Sequence, residues 1–231
     1  MKDQTMAIVL NHNGVRSTAS RMWHFLRALK SNTSGLALIE FSMILPILLV
    51  MATSGLELVN YVITIKRIGE ISGTLADNAS RMGDQNAIAN KPISESEIND
   101  LFVGADLQGN GLEIATRGRI IISSLQRNDD GGQTIAWQRC FGALDVDSAY
   151  GEEGEGAEGT SFAGMGPTGN EITAAEGTAV MVVEFQYQYE QVIPIIDLDY
   201  NPIVDVTAFN VRDDRDLGMP QNAGNVTVST C

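Results

Sequence analysis

Glu40 is the residue whose type and placement most demand a chemical explanation. It stands five positions after Gly35, in a run from Leu36 to Val59 whose only charged members are Glu40 and Glu57. A membrane-spanning helix takes about 20 mainly apolar residues, so this run is long enough to cross. An acid at bilayer depth costs roughly 2.5–3.5 kcal/mol on insertion scales, and such a group is a functional candidate by default. Glu57 follows ~25 Å further along a helix rising 1.5 Å per residue. That places it at the opposite interface, where an acid needs no special role.

Few other residues offer chemistry. The histidines, His12 and His24, both precede Gly35, so the rest of the chain lacks the commonest general base and zinc ligand. Asp197-Leu198-Asp199-Tyr200-Asn201 opens like a calcium loop. The sixth and twelfth positions, where such a loop needs Gly and Glu, are Pro202 and Ala208. Glu152, Glu153, Glu155 and Glu158 lie in a glycine-rich stretch that could bind calcium loosely, but such a loop is more often simply solvated. Carboxylates are abundant, yet no spacing selects a general acid/base pair, and neither a phosphate-binding glycine loop nor Gly-x-Ser-x-Gly occurs. The expectation is a protein that is not an enzyme and uses no cofactor or metal.

Charge divides the chain at Gly35. Before it, Lys2, Arg16, Arg21, Arg27 and Lys30 against Asp3 give +4; with −14 for the whole chain, the remainder carries −18. A basic flank ahead of an apolar span predicts a cytoplasmic N-terminus and an exported acidic domain. The amphipathic stretch around Met22-Trp23-His24-Phe25-Leu26 suits a lipid surface. An acidic domain is a poor partner for nucleic acid, whose phosphates demand clustered Lys and Arg. Cys140 and Cys231, both beyond the span, are expected to pair in an oxidising compartment, with two free thiols as the alternative. A secretory signal cleaved near Val50-Met51-Ala52 is disfavoured by the long basic region and by Glu40; an uncleaved signal anchor is the stronger competitor.

The organisation expected is a basic leader over 1–35, a transmembrane helix over 36–60 with Pro46 kinking it, and a helical extension over 61–82. In the extension, Ile65, Ile68, Ile71 and Leu75 share a face. A periplasmic α+β domain over 83–231 follows. After a linker at 83–93, Ser94 and Glu97 form a capping box that opens a short helix. Arg119–Leu125 and Gln133–Cys140 flank Asn128-Asp129-Asp130-Gly131-Gly132 as a hairpin. Residues 151–179 read as a mobile or loosely ordered acidic Gly-rich loop. Strands over Ala179–Tyr189, ended by Pro194, and about Ile203–Val211 complete a four-stranded antiparallel sheet with helices on one face.

Gly35-Leu36-Ala37-Leu38-Ile39-Glu40 ahead of an apolar helix resembles the processing site of type IV pilin-like proteins. Glu40-Phe41, then Ile44-Leu45-Pro46-Ile47-Leu48 and Gly55-Leu56-Glu57-Leu58, is similar to the TadE-like pseudopilins of the tight-adherence (Tad, or Flp) pilus system, over about 36–68. The resemblance implies a prepilin peptidase cutting between Gly35 and Leu36 at the cytoplasmic face. Glu40 and Phe41 would then act in assembly with other Tad pseudopilins and the assembly platform, in a pilus serving surface adhesion or DNA uptake. The new α-amino group, with a reference pKa of about 8, would be a cation that a carboxylate on a neighbouring helix could neutralise. Phe41 in place of the Tyr of the major pilin motif, and the large ectodomain, point to a minor pilin. The competing reading is a signal-anchored periplasmic binding or enzymatic domain unrelated to pili.

Overall fold

A computed structural model of the chain describes residues 22–30, 34–83, 92–193, 202–212 and 215–231. The leader up to residue 21 with His12, most of the 83–93 linker, Pro194 and Asp197–Asn201 lie outside the described residues. The chain divides into two units, Met1–Ser54 and Gly55–Cys231. The first holds a short helix, α1, over 22–30, and the opening of α2, Ser34–Ala79. In α1, Met22, Phe25, Leu26 and Leu29 recur at helical spacing and are all exposed, as is Trp23, with the Arg27 guanidinium 4.7 Å from its ring.

Burial along α2 reports two different surroundings. From Gly35 to Leu56 no residue is buried. Beyond it Thr64, Ile68, Ile71, Ser72, Leu75, Ala76 and Ala79 are, at spacings of three and four, the period of one helix face packed on a core. Ile65, expected on that face, is instead exposed. At about 100° per residue it falls beside the stripe that Thr64 begins.

The remainder of the second unit is α3 (Glu95–Gln108), α4 (Ile114–Arg117) and strands β1 (Gly118–Arg127), β2 (Gln133–Phe141), β3 (Ala179–Tyr187) and β4 (Ile203–Asn210). The strands form one antiparallel sheet in the order β2-β1-β3-β4. The α3 start is the expected capping box: Ser94 Oγ accepts from the Glu97 N–H while the Glu97 carboxylate accepts from the Ser94 N–H.

Helices cover one sheet face. Ile120, Ile122, Trp137, Met181, Val183, Phe185 and Tyr187 pack there with Ile68, Ile71, Ile98, Phe102 and Ile114.

The opposite face carries a smaller core of Leu125, Ile135, Val180 and Val182, covered by Met165 and Ala174 of the β2–β3 connection. That connection is therefore a packed layer, correcting the expectation of a loose loop. Its backbone is tied down: Ile135 N–H donates to Glu155 O, Gly154 N–H to Ile135 O, and the Gln133 amide both donates to and accepts from Ala174. Gly164 shows why the stretch is glycine-rich. It has φ 132°, and a Cβ there would come within 2.2 Å of Ile172 O, a turn closed to other residues.

Candidate functional site

The proposed processing and assembly residues lie in the first unit. Gly35 and Leu36 fall in the first turn of α2, with Glu40 and Phe41 just beyond. A Cβ on Gly35 would meet nothing within 4 Å, so packing gives no reason for a glycine there. Leu36 and Phe41 are exposed, and the Glu40 carboxylate has no hydrogen-bond or ion-pair partner among the described residues. Pro46 sits inside the helix. Ser42 Oγ donates to Ile39 O and Thr53 Oγ1 to Leu49 O, so both hydroxyls are satisfied within the helix. This helix is long and apolar enough to cross a membrane, and the apolar stretch that qualifies it is unburied.

Glu57 belongs to the second unit and is buried. Its carboxylate accepts hydrogen bonds from Tyr189 Oη at 2.8 Å and from the backbone N–H groups of Val192 at 3.1 Å and Ile193 at 3.0 Å. Asn60, one turn on, donates to the same tyrosine oxygen at 2.7 Å, and the Tyr61 ring meets Tyr189 edge-on with centroids 5.1 Å apart. One turn of α2 thus holds the segment that leaves β3. Three donors on one carboxylate offset its desolvation. Glu57, expected to need no special role, thus has a structural one. Its partners lie more than 130 positions away in sequence, and no local pattern announces them.

Beside this clamp is an open cavity of about 370 Å³. Asn60, Ile63, Thr64 and Arg67 of α2 line one wall; Glu113 and Arg117 line the wall by α4; Tyr187, Tyr189, Glu190 and Val192 complete it. Arg117 pairs with Glu113 at 3.2 Å and with Glu190, while Arg67 donates to Asn110 O at 2.9 Å. Burial pushes the Tyr187 phenol above its ordinary value, and the nearby Arg117 and, more weakly, Arg67 oppose the rise.

Elsewhere Arg139, Glu95 and Glu184 are buried and hydrogen-bonded. Arg139, buried on β2, donates to both oxygens of buried Glu95 at the start of α3 and to Glu153 of the β2–β3 connection. The hydrogen bond to Glu95 raises the Arg139 pKa further. Buried Glu184 accepts from Ser148 Oγ, the Ala149 N–H and Gln186 Nε2, fixing the start of the same connection. Cys140 and Cys231 form the expected disulfide. Among the described residues no cluster of His, Cys, Asp and Glu could hold a metal ion. Comparison with protein-family models, with curated proteins and with solved structures gives no significant match.

Proposed function

We propose that this chain is a non-enzymatic minor pilin of the tight-adherence type: membrane-anchored, processed after Gly35, with the N-terminus cytoplasmic and the sheet domain periplasmic. The observation that carries the reading is the first half of α2. It is an apolar helix with every side exposed, with a glycine in its first turn that packing does not require and one carboxylate without a partner among the described residues. A soluble protein would have to bury such a surface; a bilayer and neighbouring helices would cover it. The unpaired Glu40 is then available to a cation on another subunit. A desolvated charge pair of that kind contributes to register more than to affinity. A disulfide and a sheet with both faces packed fit an exported domain that must persist outside the cytoplasm. The partners are a prepilin peptidase, other Tad pseudopilins and the assembly platform.

The mature N-terminus tests this. Sequencing of the protein from membranes should begin at Leu36; an intact Met1, or a start near Thr53, would leave a signal-anchored or secreted domain instead. Glu40→Ala should retain membrane insertion and abolish pilus assembly, and normal piliation in that strain would remove the role given to Glu40.

A further inference from the structure

We infer that the cavity between α2, α4 and the end of β3 is a binding site for the headgroup of a bilayer phospholipid carrying both a phosphate and a primary ammonium, the phosphatidylethanolamine class. The inference rests on the reading of α2 as a membrane span. About 20 residues exhaust the hydrocarbon layer, so a span beginning at Leu36 leaves it near Leu56. Asn60, Ile63 and Arg67 occupy the next turns, at headgroup level.

Chemistry selects the ligand. The cavity rim carries two guanidiniums, Arg67 and Arg117, and two carboxylates, Glu113 and Glu190. A surface of balanced charge matches a zwitterion better than an anion. Arg67 is half-buried and makes one hydrogen bond among the described residues, to a backbone carbonyl. Its remaining N–H groups suit a phosphate oxygen, and the Asn60 side chain lies on the same wall. Glu190 is exposed beyond its contact with Arg117 and is placed to accept from an ammonium. A soluble zwitterion would leave the apolar lip bare: Ile63 and Val192 line the cavity while exposed, and Val59 and Val62 continue that surface along α2. Acyl chains would cover them. The Glu57 clamp has a part in this, because it holds the Val192 backbone at the lip.

Native mass spectrometry of the full-length protein in mild detergent, with one defined lipid added at a time, tests the site. Phosphatidylethanolamine should be retained as a discrete adduct. Phosphatidylcholine, whose ammonium has no N–H, and phosphatidylglycerol, which has no ammonium, should be retained about tenfold less, the loss expected when a charge-assisted hydrogen bond is missing. Glu190→Gln should abolish the preference, and Arg67→Gln should lower retention of all three lipids alike, since each carries the phosphate; neither side chain is in the core, so both variants should fold with circular dichroism unchanged. Equal retention of the three lipids, no adduct at all, a preference surviving Glu190→Gln, or retention unchanged by Arg67→Gln would overturn the proposal. Alkaline extraction of membranes separates this from the reading beneath it. A chain that resists extraction yet shows no lipid preference refutes only the headgroup site, whereas a chain released as soluble protein refutes the membrane span and the site together.

Discussion

The Tyr189 hydroxyl donates to the Glu57 carboxylate at 2.8 Å across 132 positions of sequence. This joins the helix that the domain is built on to the segment leaving its central sheet. Glu57→Ala would strip acceptors from that hydroxyl and from the Val192 and Ile193 N–H groups. Its cost should be about 2–3 kcal/mol, since each buried donor left unpaired costs about 1–3 kcal/mol and water can reach part of this site. Tyr189→Phe should cost about 1–2 kcal/mol alone and much less in the Glu57→Ala background, because the two substitutions remove one interaction. Denaturant titration of the four proteins, followed by fluorescence of the buried Trp137, gives the cycle. Additive losses would mean that the pair is not coupled.

The Arg139–Glu95 pair makes a different prediction. Both side chains are nearly fully buried, 6% and 2% exposed, so removing one partner strands a charge, at about 3–5 kcal/mol. Glu95→Ala should therefore be among the most damaging single changes in the domain. Replacing both, with Glu95→Leu and Arg139→Met, should recover much of that loss, since an apolar pair of similar volume avoids the desolvation cost. If the double variant is as unstable as the single one, the Arg139 contacts with Glu153 and the Gln138 carbonyl carry more of the stability than the pair does.

These two cases show what the sequence could and could not announce. The Ser94–Glu97 capping box, the hairpin around Asn128–Gly132 and the alternation of Val183, Phe185 and Tyr187 are local, and all three stand in the structure. Glu57–Tyr189 and Glu95–Arg139 are contacts between distant segments, and composition says nothing about which acid meets which donor. β2 adds a subtler case. Strict alternation puts Ile135 and Trp137 on one face, but the register with β1 slips between Ser124–Trp137 and Leu125–Ile135. The extra residue, Ala136, sends Trp137 to the helix-covered core and Ile135 to the opposite one. A bulge of this kind depends on what packs against each face, which period alone does not encode.

The disulfide should matter both for global stability and for the sheet edge. Its loop of 91 residues corresponds to a contribution on the order of 4 kcal/mol in the chain-entropy picture. The bond also fastens the C-terminal tail along β2, where Cys140 N–H donates to Ser229 O at 2.7 Å and Asn99 holds both Thr227 O and Ser229 Oγ. Cys231→Ser should lower the denaturation midpoint and raise the exchange rate of the Cys140 amide. A lowered midpoint with unchanged exchange would show that the tail stays docked without the bond.

Alkaline pH should weaken the domain through Tyr187. Burial holds this phenol above its ordinary value near 10, despite the opposing Arg117 and Arg67. The folded protein then keeps a proton that the unfolded chain has already lost. Stability from this source is fully present below about pH 10 and falls as pH rises toward and through the folded value. Tyr187→Phe removes that titration while keeping the ring in the core. The stability difference between wild type and Tyr187→Phe should therefore be constant up to about pH 10 and shift against wild type above it. Tyr150 is raised for a similar reason, burial beside Glu184, and titrates in both proteins, so it drops out of the comparison. Denaturant midpoints at intervals from pH 8 to 11.5 would show the effect. A difference that stays flat across the range would place the Tyr187 phenol at its ordinary value and the cavity floor in contact with water.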